Sequence, residues 1–489
     1  MNEATLGPRA LIGLLGDWRG DGATYEDLAS RIRLLVIDGR IAVGTRLPAE
    51  RELAARLGLS RTTIAAAYAR LRESEHLESV RGSGSITRLP AGNITPLHST
   101  GAACIDFTKA ALPALPWLGE AARAAAERLP AYLGDPGYDP IGLPELREAI
   151  AARYTARGLA TDPDEILVTI GAQHAISLLS RTLLGRGDRA LVESPTYPHA
   201  YEALRGAGAR LVAVPVGGAG PESALAGVGD GEGGDGERGD GAAIAEAIRH
   251  ASPSVAYLLP DFHNPTGRSL GERDRELVAH AASAQGTVLI ADETTAELDI
   301  DRPFATRPLA AHGPAVMIGS VGKTVWGGIR LGWIRADRGL IRRLLAQRAP
   351  NDLGTPILEQ LLVAELLPRM DDILELRRAQ LGERRAHLER AIAERFPEWH
   401  VPHVHGGLAL WVHLGAPVSS QLALAARSHD LMITAGPRFG IDGAFERSLR
   451  IPLGYGEAET ERALDALQAA WRTMGGAPLA DADVLSAVV

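Results

Sequence analysis

The sequence predicts a multidomain protein: a small helical unit with a β-hairpin, then an α/β body that ends in a smaller α+β domain. Three observations predict this organisation. The chain has 489 residues, more than the ~250–300 at which single hydrophobic cores stop growing. Helical periodicity dominates up to about Leu77. From about Ile105, apolar strands alternate with helices, which is typical of a mostly parallel sheet covered on both faces.

Three helices and a hairpin are predicted at the N-terminus. Apolar residues recur at helical spacing in Tyr25–Gly39 and in Ala49–Leu57. Ser60 is placed as the N-cap of a third helix, which carries Ile64, Tyr68 and Leu71 on one face. The stretch Ser79–Thr87 predicts two short strands around a Gly-Ser-Gly tip. These elements in this order predict an α+β winged helix–turn–helix domain.

The α/β body is predicted from recurring apolar strands and the helices between them, such as Ala172–Leu184 and Glu272–Gln285. A long helical region is expected from about Thr355 to Glu394. The predicted strands of the main sheet are Ile166–Ile170, Arg189–Glu193, Arg210–Val214, Val255–Leu259, Val288–Asp292, Val316–Gly319 and Leu331–Arg335, and those of the smaller domain are Leu408–His413, Leu431–Ile433 and Leu449–Pro452.

Composition shifts set the expected domain boundaries. Residues 1–88 form the winged domain, and 89–105, with several prolines and glycines, form a linker. Residues 106–475 form the body and 476–489 a tail. Within the body, the Gly-rich acidic stretch 217–241 cannot bury a core and is expected to be a disordered surface loop.

Composition and charge exclude several classes of protein. No apolar run approaches the ~18–20 residues that span a bilayer, and the single Cys104 cannot form an internal disulfide. We therefore expect a cytoplasmic protein without a membrane segment. The net charge is -9, but residues 1–88 carry 13 Arg against 11 acidic residues. A mildly basic head on an acidic body places any polyanionic partner at the head. No metal site is expected.

The predicted helix–turn–helix carries residue types suited to DNA. Arginines contact phosphates and base edges, and hydroxyls at a helix N-terminus bind phosphates. The alternative is a protein-interaction module whose arginines are only solvated. The string GTRLPAERELAARLGLSRTTIAAAYARL…VRGSGSIT resembles the GntR family of bacterial transcription factors, which implies binding to a double-stranded DNA operator. The candidate contact residues are Arg46, Arg51, Ser60, Arg61, Thr62, Thr63, Arg81 and Gly82.

Lysine is scarce in this chain. Of 51 basic residues only Lys109 and Lys323 are lysines, so each is a candidate for chemistry that arginine cannot perform, such as imine formation. Lys323 follows an apolar strand within Gly-Ser-Val-Gly-Lys-Thr, whereas Lys109 matches no motif. A P-loop is excluded because its first glycine would fall at Met317. A serine β-lactamase-like site matches Ser320 and Lys323 but has no Lys-Thr-Gly element.

The remaining interpretation of Lys323 is a Schiff-base lysine for pyridoxal 5'-phosphate (PLP). This cofactor needs a carboxylate at its ring nitrogen, an anion site for its phosphate, an aromatic face and a donor to its 3-hydroxyl. Each need has a candidate at a strand end or a helix start. They are Asp292 for the nitrogen; Gly171, Ala172, Gln173, Ser320 and Arg330 for the phosphate; Tyr197 for the ring face; and Asn264 for the hydroxyl.

Together, in this order, these residues resemble the fold-type I aminotransferases of the aspartate-aminotransferase class, from about Asp106 to Trp471. Asn-Pro-Thr-Gly at Asn264 and Ser-x-x-Lys at Lys323 are the most specific pieces. The resemblance implies that Arg450 holds an effector or substrate carboxylate. At position 294 similar regulators have a tyrosine that contacts the cofactor hydroxyl, and Thr294 stands there instead. Weak or no transaminase activity is therefore expected.

A GntR-type head fused to an aminotransferase-like body resembles the MocR subfamily of bacterial regulators. The resemblance implies a PLP-dependent transcription factor, a head-to-tail homodimer that senses PLP, an amino compound or both at Lys323. Control of vitamin B6 synthesis or of amino-acid-derived metabolite genes fits equally. Two alternatives stay open: an active aminotransferase with a DNA-binding appendage, and a plain GntR-type repressor whose body binds a ligand without PLP.

Overall fold

The computed structural model describes residues 5–88 (except 17, 20–22, 38–40, 42–43 and 81–83), 104–217, and 240–474 except 442. The chain divides into two compact units. The first contains Met1–Thr108, His413–Leu449 and Glu461–Val489, and the second contains Lys109–Val412 and Arg450–Thr460. Among the described residues, none of the helices has the length and apolar character that a bilayer crossing needs.

The N-terminal part of the first unit is a helical cluster with a hairpin. Its core contains the residues that the periodicity predicted, including Leu28, Leu53, Ile64 and Tyr68. An additional short helix begins at Pro8, and sequence periodicity did not predict it. The elements are α1 (Pro8–Leu15), α2 (Thr24–Ile37), α3 (Glu50–Leu57), α4 (Arg61–Glu73), β1 (Leu77–Val80) and β2 (Gly84–Thr87).

The start of α4 confirms the predicted capping. Ser60 has an extended backbone, and its Oγ accepts a hydrogen bond from the backbone N–H of Thr63 at 3.0 Å. Gly58 ends α3 in the left-handed conformation, with φ of 66°, a region that glycine occupies without a steric penalty. The turn between these helices is therefore encoded locally. The hairpin follows, with β1 and β2 antiparallel and Leu77 opposite Thr87.

The second unit contains a seven-stranded sheet in the order β4-β10-β9-β8-β7-β5-β6. All seven predicted strands are confirmed to within one residue at each end. β10 runs antiparallel to both its neighbours, β4 and β9, and the pairs β9–β8, β8–β7, β7–β5 and β5–β6 are parallel. The strands are β3 (Ile105–Asp106, in the first unit), β4 (Ile166–Thr169), β5 (Arg189–Ser194), β6 (Arg210–Pro215), β7 (Val255–Leu258), β8 (Val288–Asp292), β9 (Ala315–Ser320) and β10 (Gly332–Arg335).

Nine helices accompany this sheet in the described part of the second unit, and several pack on its apolar side chains in one large core. The predicted long helical region consists of two helices interrupted at Leu367–Arg369, where Pro368 cannot donate a backbone hydrogen bond. The helices are α5 (Leu118–Arg128), α6 (Pro144–Ala156), α7 (Ala172–Leu183), α8 (Pro198–Gly206), α9 (Asp240–Ala251), α10 (Glu272–Gln285), α11 (Arg338–Arg348), α12 (Ile357–Leu366) and α13 (Met370–Arg395).

The C-terminal region differs from its prediction in one detail: the predicted strand Leu431–Ile433 is split into two shorter strands. Residues 413–449 belong to the same compact unit as the N-terminal helices. Within that unit, β12 pairs in parallel with β3, with Leu431 opposite Ile105. The elements are β11 (Ala409–His413), α14 (Ser419–Arg427), β12 (Leu431–Met432), β13 (Thr434–Ala435), β14 (Ser448–Pro452) and α15 (Glu457–Thr473).

Two predicted segments fall largely outside the described residues: the linker between the head and the body, and the Gly-rich acidic loop. At the end of that loop, Asp240 already begins α9, and Gly241 is buried within the helix. A Cβ on Gly241 would lie 2.4 Å from the Cβ of Asp274, so this glycine permits close packing of α9 on α10.

Candidate cofactor and DNA-binding sites

Lys323 lies in the turn that follows β9, as predicted, and its side chain is half-buried. Its Nζ donates a hydrogen bond to the carbonyl oxygen of Ala110 at 2.5 Å. Burial lowers the pKa of Lys323 to about 8; Arg450 and Arg330 also lower it, and Asp292 opposes them. An amine with this pKa is neutral more often near pH 7 than an ordinary lysine, which favours attack on an aldehyde.

Asp292, the last residue of β8, is only 3% exposed and is held by two donors. The hydroxyl of Tyr257, on the neighbouring strand β7, donates to Oδ2 at 2.5 Å. The backbone N–H of Thr294 donates to Oδ1 at 2.9 Å. Burial and the Asp292 carboxylate raise the pKa of Tyr257, so the phenol remains a donor. This arrangement fixes a carboxylate where a protonated ring nitrogen would need one.

The sequence interpretation missed Tyr257. It lies within an apolar strand, where a tyrosine has no motif to distinguish it from a core residue. The parallel register of β7 and β8, which sets Tyr257 opposite Ile290, brings its side chain to Asp292. A mostly parallel sheet was predicted without its strand order, so no sequence pattern placed Tyr257 beside Asp292.

An anion-binding cradle lies between β4 and α7. Gly171 precedes the helix with φ of +77°, and a Cβ at this position would lie 3.0 Å from Nη2 of Arg330. Arg330 also has a positive φ, +56°, and its Nη2 donates to the carbonyl oxygen of Ile170 at 3.5 Å. The guanidinium therefore lies beside the N-terminus of α7, which begins at Ala172 and Gln173. A helix N-terminus together with an arginine suits a phosphate group.

Two of the predicted phosphate ligands have side chains that are already engaged. Ser320 Oγ donates to the carbonyl oxygen of Leu331 at 2.9 Å and accepts from the backbone N–H of Gly322 at 3.0 Å. This shapes the turn that carries the reactive lysine. Gln173 Nε2 donates to the carbonyl oxygen of His199 at 3.2 Å, which leaves the residue's backbone N–H to face an anion. Contact of either residue with phosphate stays a prediction.

Arg450, on β14, is 7% exposed, and its Nη1 donates to Oδ1 of Asn264 at 3.4 Å. Burial lowers the pKa of Arg450 to about 10. Tyr197 lies in the same electrostatic environment: burial and Asp292 raise its pKa to about 12, while Arg330 and Arg450 oppose the shift. The structure thus brings Tyr197, Asn264 and Arg450 together with the residues that surround Lys323.

Thr294 stands where a tyrosine was expected and follows the buried Asp292 closely in sequence. It also lines a small cavity together with Gly319, Ser320 and Thr324. Its backbone N–H supports Asp292, as described above, and its side chain is too short to replace a phenol. The hydroxyl of Tyr257 donates to the Asp292 carboxylate, which is a different contact from the one expected at position 294.

Four of the predicted DNA-contact residues lie at the N-terminus of α4: Ser60, Arg61, Thr62 and Thr63. Thr62 Oγ1 and Thr63 Oγ1 lie 2.7 and 2.8 Å from Ser60 Oγ, so these hydroxyls form one small network. Arg61 is 74% exposed, with its Nε 3.8 Å from Glu50 Oε2. An exposed arginine over a capped helix N-terminus is available to a phosphate or a base edge. The remaining predicted residues are Arg51, which is exposed, Arg46, which lies against Gly84, and Arg81 and Gly82, which fall outside the described residues.

Comparison with known families agrees with both predicted types of domain. The model of "Aminotransferase class I and II" matches residues 120–467, and that of "Bacterial regulatory proteins, gntR family" matches residues 24–86. The chain belongs to the class I and II aminotransferase family and carries a GntR-type helix–turn–helix domain, the fused architecture of MocR and similar regulators. The family resemblance and the fold predicted from the sequence are therefore confirmed.

Similar proteins share this architecture. The uncharacterized HTH-type transcriptional regulator YisV of Bacillus subtilis is 25% identical over 482 residues, 90% of this chain and 95% of that protein. The probable rhizopine catabolism regulatory protein MocR of Rhizobium meliloti is 27% identical over 364 residues, 66% of this chain and 67% of that protein.

A solved structure supports the cofactor. The alpha-aminoadipate aminotransferase LysN of Thermus thermophilus, complexed with N-(5'-phosphopyridoxyl)-L-leucine, has 27% identity and a TM-score of 0.63. The match covers 76% of this chain and 92% of that one. The lysine, the buried carboxylate and the anion cradle fit the groups of PLP, and the family is one that binds it.

Proposed function

We propose that this chain is a PLP-dependent transcriptional regulator whose aminotransferase-like body senses PLP, an amino compound or both, and controls operator binding by the GntR-type head. The observation that carries the proposal is the joint presence of a capped, arginine-bearing helix–turn–helix and a cluster around Lys323. An aminotransferase does not need a DNA-binding helix–turn–helix. A repressor that does not bind PLP does not need the cluster around Lys323.

Bound PLP supplies an aldehyde and an electron-accepting ring. Lys323, with its low pKa, would provide the amine that attaches the cofactor. Asp292, fixed by Tyr257 and Thr294, would keep the ring nitrogen protonated. The N-terminus of α7 and Arg330 would hold the phosphate, and Tyr197 would cover the ring face.

Arg450 and Asn264 form the effector end of the site. A guanidinium presents several N–H donors in a planar fork, and a bidentate pair between the buried Arg450 and a carboxylate would orient an amino acid. A regulator needs only a ligand affinity that differs between two conformations, so turnover is not required. The active form is a head-to-tail homodimer in the cytoplasm.

The decisive experiment pairs the two lysines of the chain. Purified protein should be yellow, and borohydride reduction should fix the cofactor on Lys323. Lys323→Ala should lose the visible absorption band, whereas Lys109→Ala, the matched control, should keep it. Mass spectrometry that finds the adduct on Lys109, or none, would show that the assignment is wrong. Operator binding should then change with PLP in wild type and not in Lys323→Ala.

An active aminotransferase is the second candidate, because the lysine, the carboxylate and the carboxylate-binding arginine are all present. Release of the keto acid from an amino donor, followed through many cycles with a keto-acid acceptor, would establish it.

A further inference from the structure

We propose that the second unit holds a divalent transition-metal ion, of which Zn²⁺ is the best match, on Asp301, His403 and His405. The candidate ligand atoms of these three residues all lie within 4.8 Å of one another. Two imidazoles and one carboxylate are a ligand set that Zn²⁺ accepts, with three protein ligands leaving a fourth position open. The site is separate from Lys323 and was not expected from the sequence.

The backbone holds the ligands in place. The N–H groups of Ile300 and Asp301 both donate to the carbonyl oxygen of His405, at 2.9 and 3.2 Å, and Asp299 forms an antiparallel bridge with Gly406. The loop that carries Asp301 is therefore attached to the segment that carries both histidines. The two imidazole rings lie together, with ring centroids 5.0 Å apart in an edge-on arrangement.

The ring of His403 lies between two acceptors. Its Nδ1 is 3.3 Å from Oε1 of Glu389 on α13, and its Nε2 is 3.9 Å from Oδ2 of Asp301. A neutral imidazole has one N–H, so it can serve only one of these carboxylates. If Nδ1–H donates to Glu389, the lone pair of Nε2 faces the Asp301 carboxylate. A cation between them satisfies both, and a carboxylate behind a ligating histidine is a common support of zinc sites.

His405 contributes the second imidazole. Its Nδ1 lies 2.9 Å from Oδ1 of Asp301, a hydrogen-bond distance. Two ligand atoms on a tetrahedral ion with bonds of ~2.1 Å are ~3.4 Å apart, so an ion would replace this hydrogen bond after the two atoms separate by about 0.5 Å. His403 is the more exposed of the two, at 48%, and its Nε2 lies 3.9 Å from Oδ2 of Asp301.

Arg385 is the strongest argument against an ion here, since its guanidinium binds both oxygens of Asp301, at 2.9 and 2.5 Å. Each carboxylate oxygen has two lone pairs, so the arginine leaves one on each. The net charge around the proposed ion also favours a cation. Asp301 and Glu389 carry two negative charges, and Arg385 carries one positive charge, so one negative charge remains. Arg385 thus acts as an outer partner that orients the carboxylate.

The test is titration of tag-free, PLP-loaded protein with ZnCl₂ in a non-chelating buffer, read by calorimetry. We expect one ion per chain, and His403→Ala combined with His405→Ala, which removes two of the three ligands, should lower the affinity by more than the ~10–100-fold that loss of an outer partner costs. His250→Ala is the matched control, because His250 is an exposed histidine near Glu246 and should not change binding. Asp301→Ala is unsuitable because it would leave Arg385 without its carboxylate partner.

A second readout identifies the ligands. Co²⁺ in place of Zn²⁺ should give the visible bands of a four-coordinate site in wild type, and these should be absent in the double histidine variant while its PLP absorbance is retained. Equal affinity in wild type and the double variant, or no saturable binding, would overturn the site. If wild-type protein has no PLP absorbance or does not bind an operator, the proposed function is contradicted and the metal site is not. The two proposals can therefore fail separately.

Discussion

The guanidinium of Arg31, on α2, is buried against the carboxylate of Glu446, and both residues lie in the first compact unit. The same guanidinium donates to Leu15 O at 2.8 Å and to Ser420 Oγ at 2.9 Å, while Ser420 donates to Glu446 through its backbone N–H and its hydroxyl. Helices of the head and residues 419–446 are therefore connected by one hydrogen-bonded network in which both charges are paired.

Breaking this pair should destabilise the protein strongly. Arg31→Ala leaves Glu446 buried without its charge partner, and such a loss typically costs about 3–5 kcal/mol. Denaturant unfolding followed by circular dichroism measures the change. Arg70→Ala is the control, because Arg70 pairs with Glu73 on the exposed surface of α4 and its removal should have little effect. If Arg31→Ala and Arg70→Ala lower the free energy of unfolding by similar amounts, burial of the Arg31–Glu446 pair does not determine its contribution to stability.

Removing the hydroxyl of Tyr257 should weaken cofactor binding. Tyr257→Phe takes one of two donors from Asp292, and a hydrogen bond to a charged group contributes about 1.5–3 kcal/mol, or roughly 10–100-fold in the dissociation constant of PLP. Fluorescence titration of the apoprotein measures it. Tyr68→Phe makes the same change at a buried tyrosine of the head and should leave PLP affinity unaltered. If the two variants bind PLP equally, Tyr257 does not support the site.

Attachment of PLP to the apoprotein should become faster as pH rises. The neutral amine of Lys323 is the nucleophile, and its pKa of about 8 places the midpoint of the rate profile near pH 8. Because Arg450 lowers this pKa, Arg450→Gln should shift the midpoint upward. Stopped-flow absorbance across the pH range measures both profiles. A wild-type midpoint near that of an ordinary lysine would contradict the inferred desolvation.

Operator affinity should depend on Arg61 while the PLP spectrum should not. Loss of one base or phosphate contact in Arg61→Ala should cost about 1–3 kcal/mol in binding. Gel shifts at fixed salt measure it. Arg210→Ala removes an exposed arginine from β6 in the second unit and serves as the comparison. Unchanged affinity in Arg61→Ala would remove this residue from the DNA-contact set.

Transamination should be slow or absent. Thr294 cannot supply the phenol expected at its position, so the cofactor is held less firmly during a full catalytic cycle. We expect turnover far below the ~1–1,000 per second of ordinary enzymes. A coupled assay with a panel of amino and keto acids measures this rate, and sustained turnover within that ordinary range would favour the enzyme interpretation.

Much of the fold followed from local signals. Ser60, Gly58 and the strand that ends at Asp292 have short-range signatures, because caps and alternating strands depend on residues only a few positions apart. The rarity of lysine singled out Lys323. The winged head and the seven-stranded sheet were predicted for these reasons.

The missed features depend on residues far apart in the chain. Tyr257 and Asp292 are separated by 35 positions, and Arg31 and Glu446 by 415. Neither pair has a spacing that a pattern could detect. His403 and His405 are adjacent enough to notice, but without Asp301 beside them they resemble ordinary surface histidines.

The hydrogen bond from Lys323 to Ala110 has a mechanical consequence. Ala110 lies two residues beyond Thr108, where the first compact unit gives way to the second. A lysine ammonium has three N–H donors, whereas a lysine attached to PLP through an imine would keep at most one. The attachment proposed above would therefore weaken or remove the hydrogen bond that holds Ala110 to Lys323. Residues next to the unit boundary would lose one contact each time the cofactor binds.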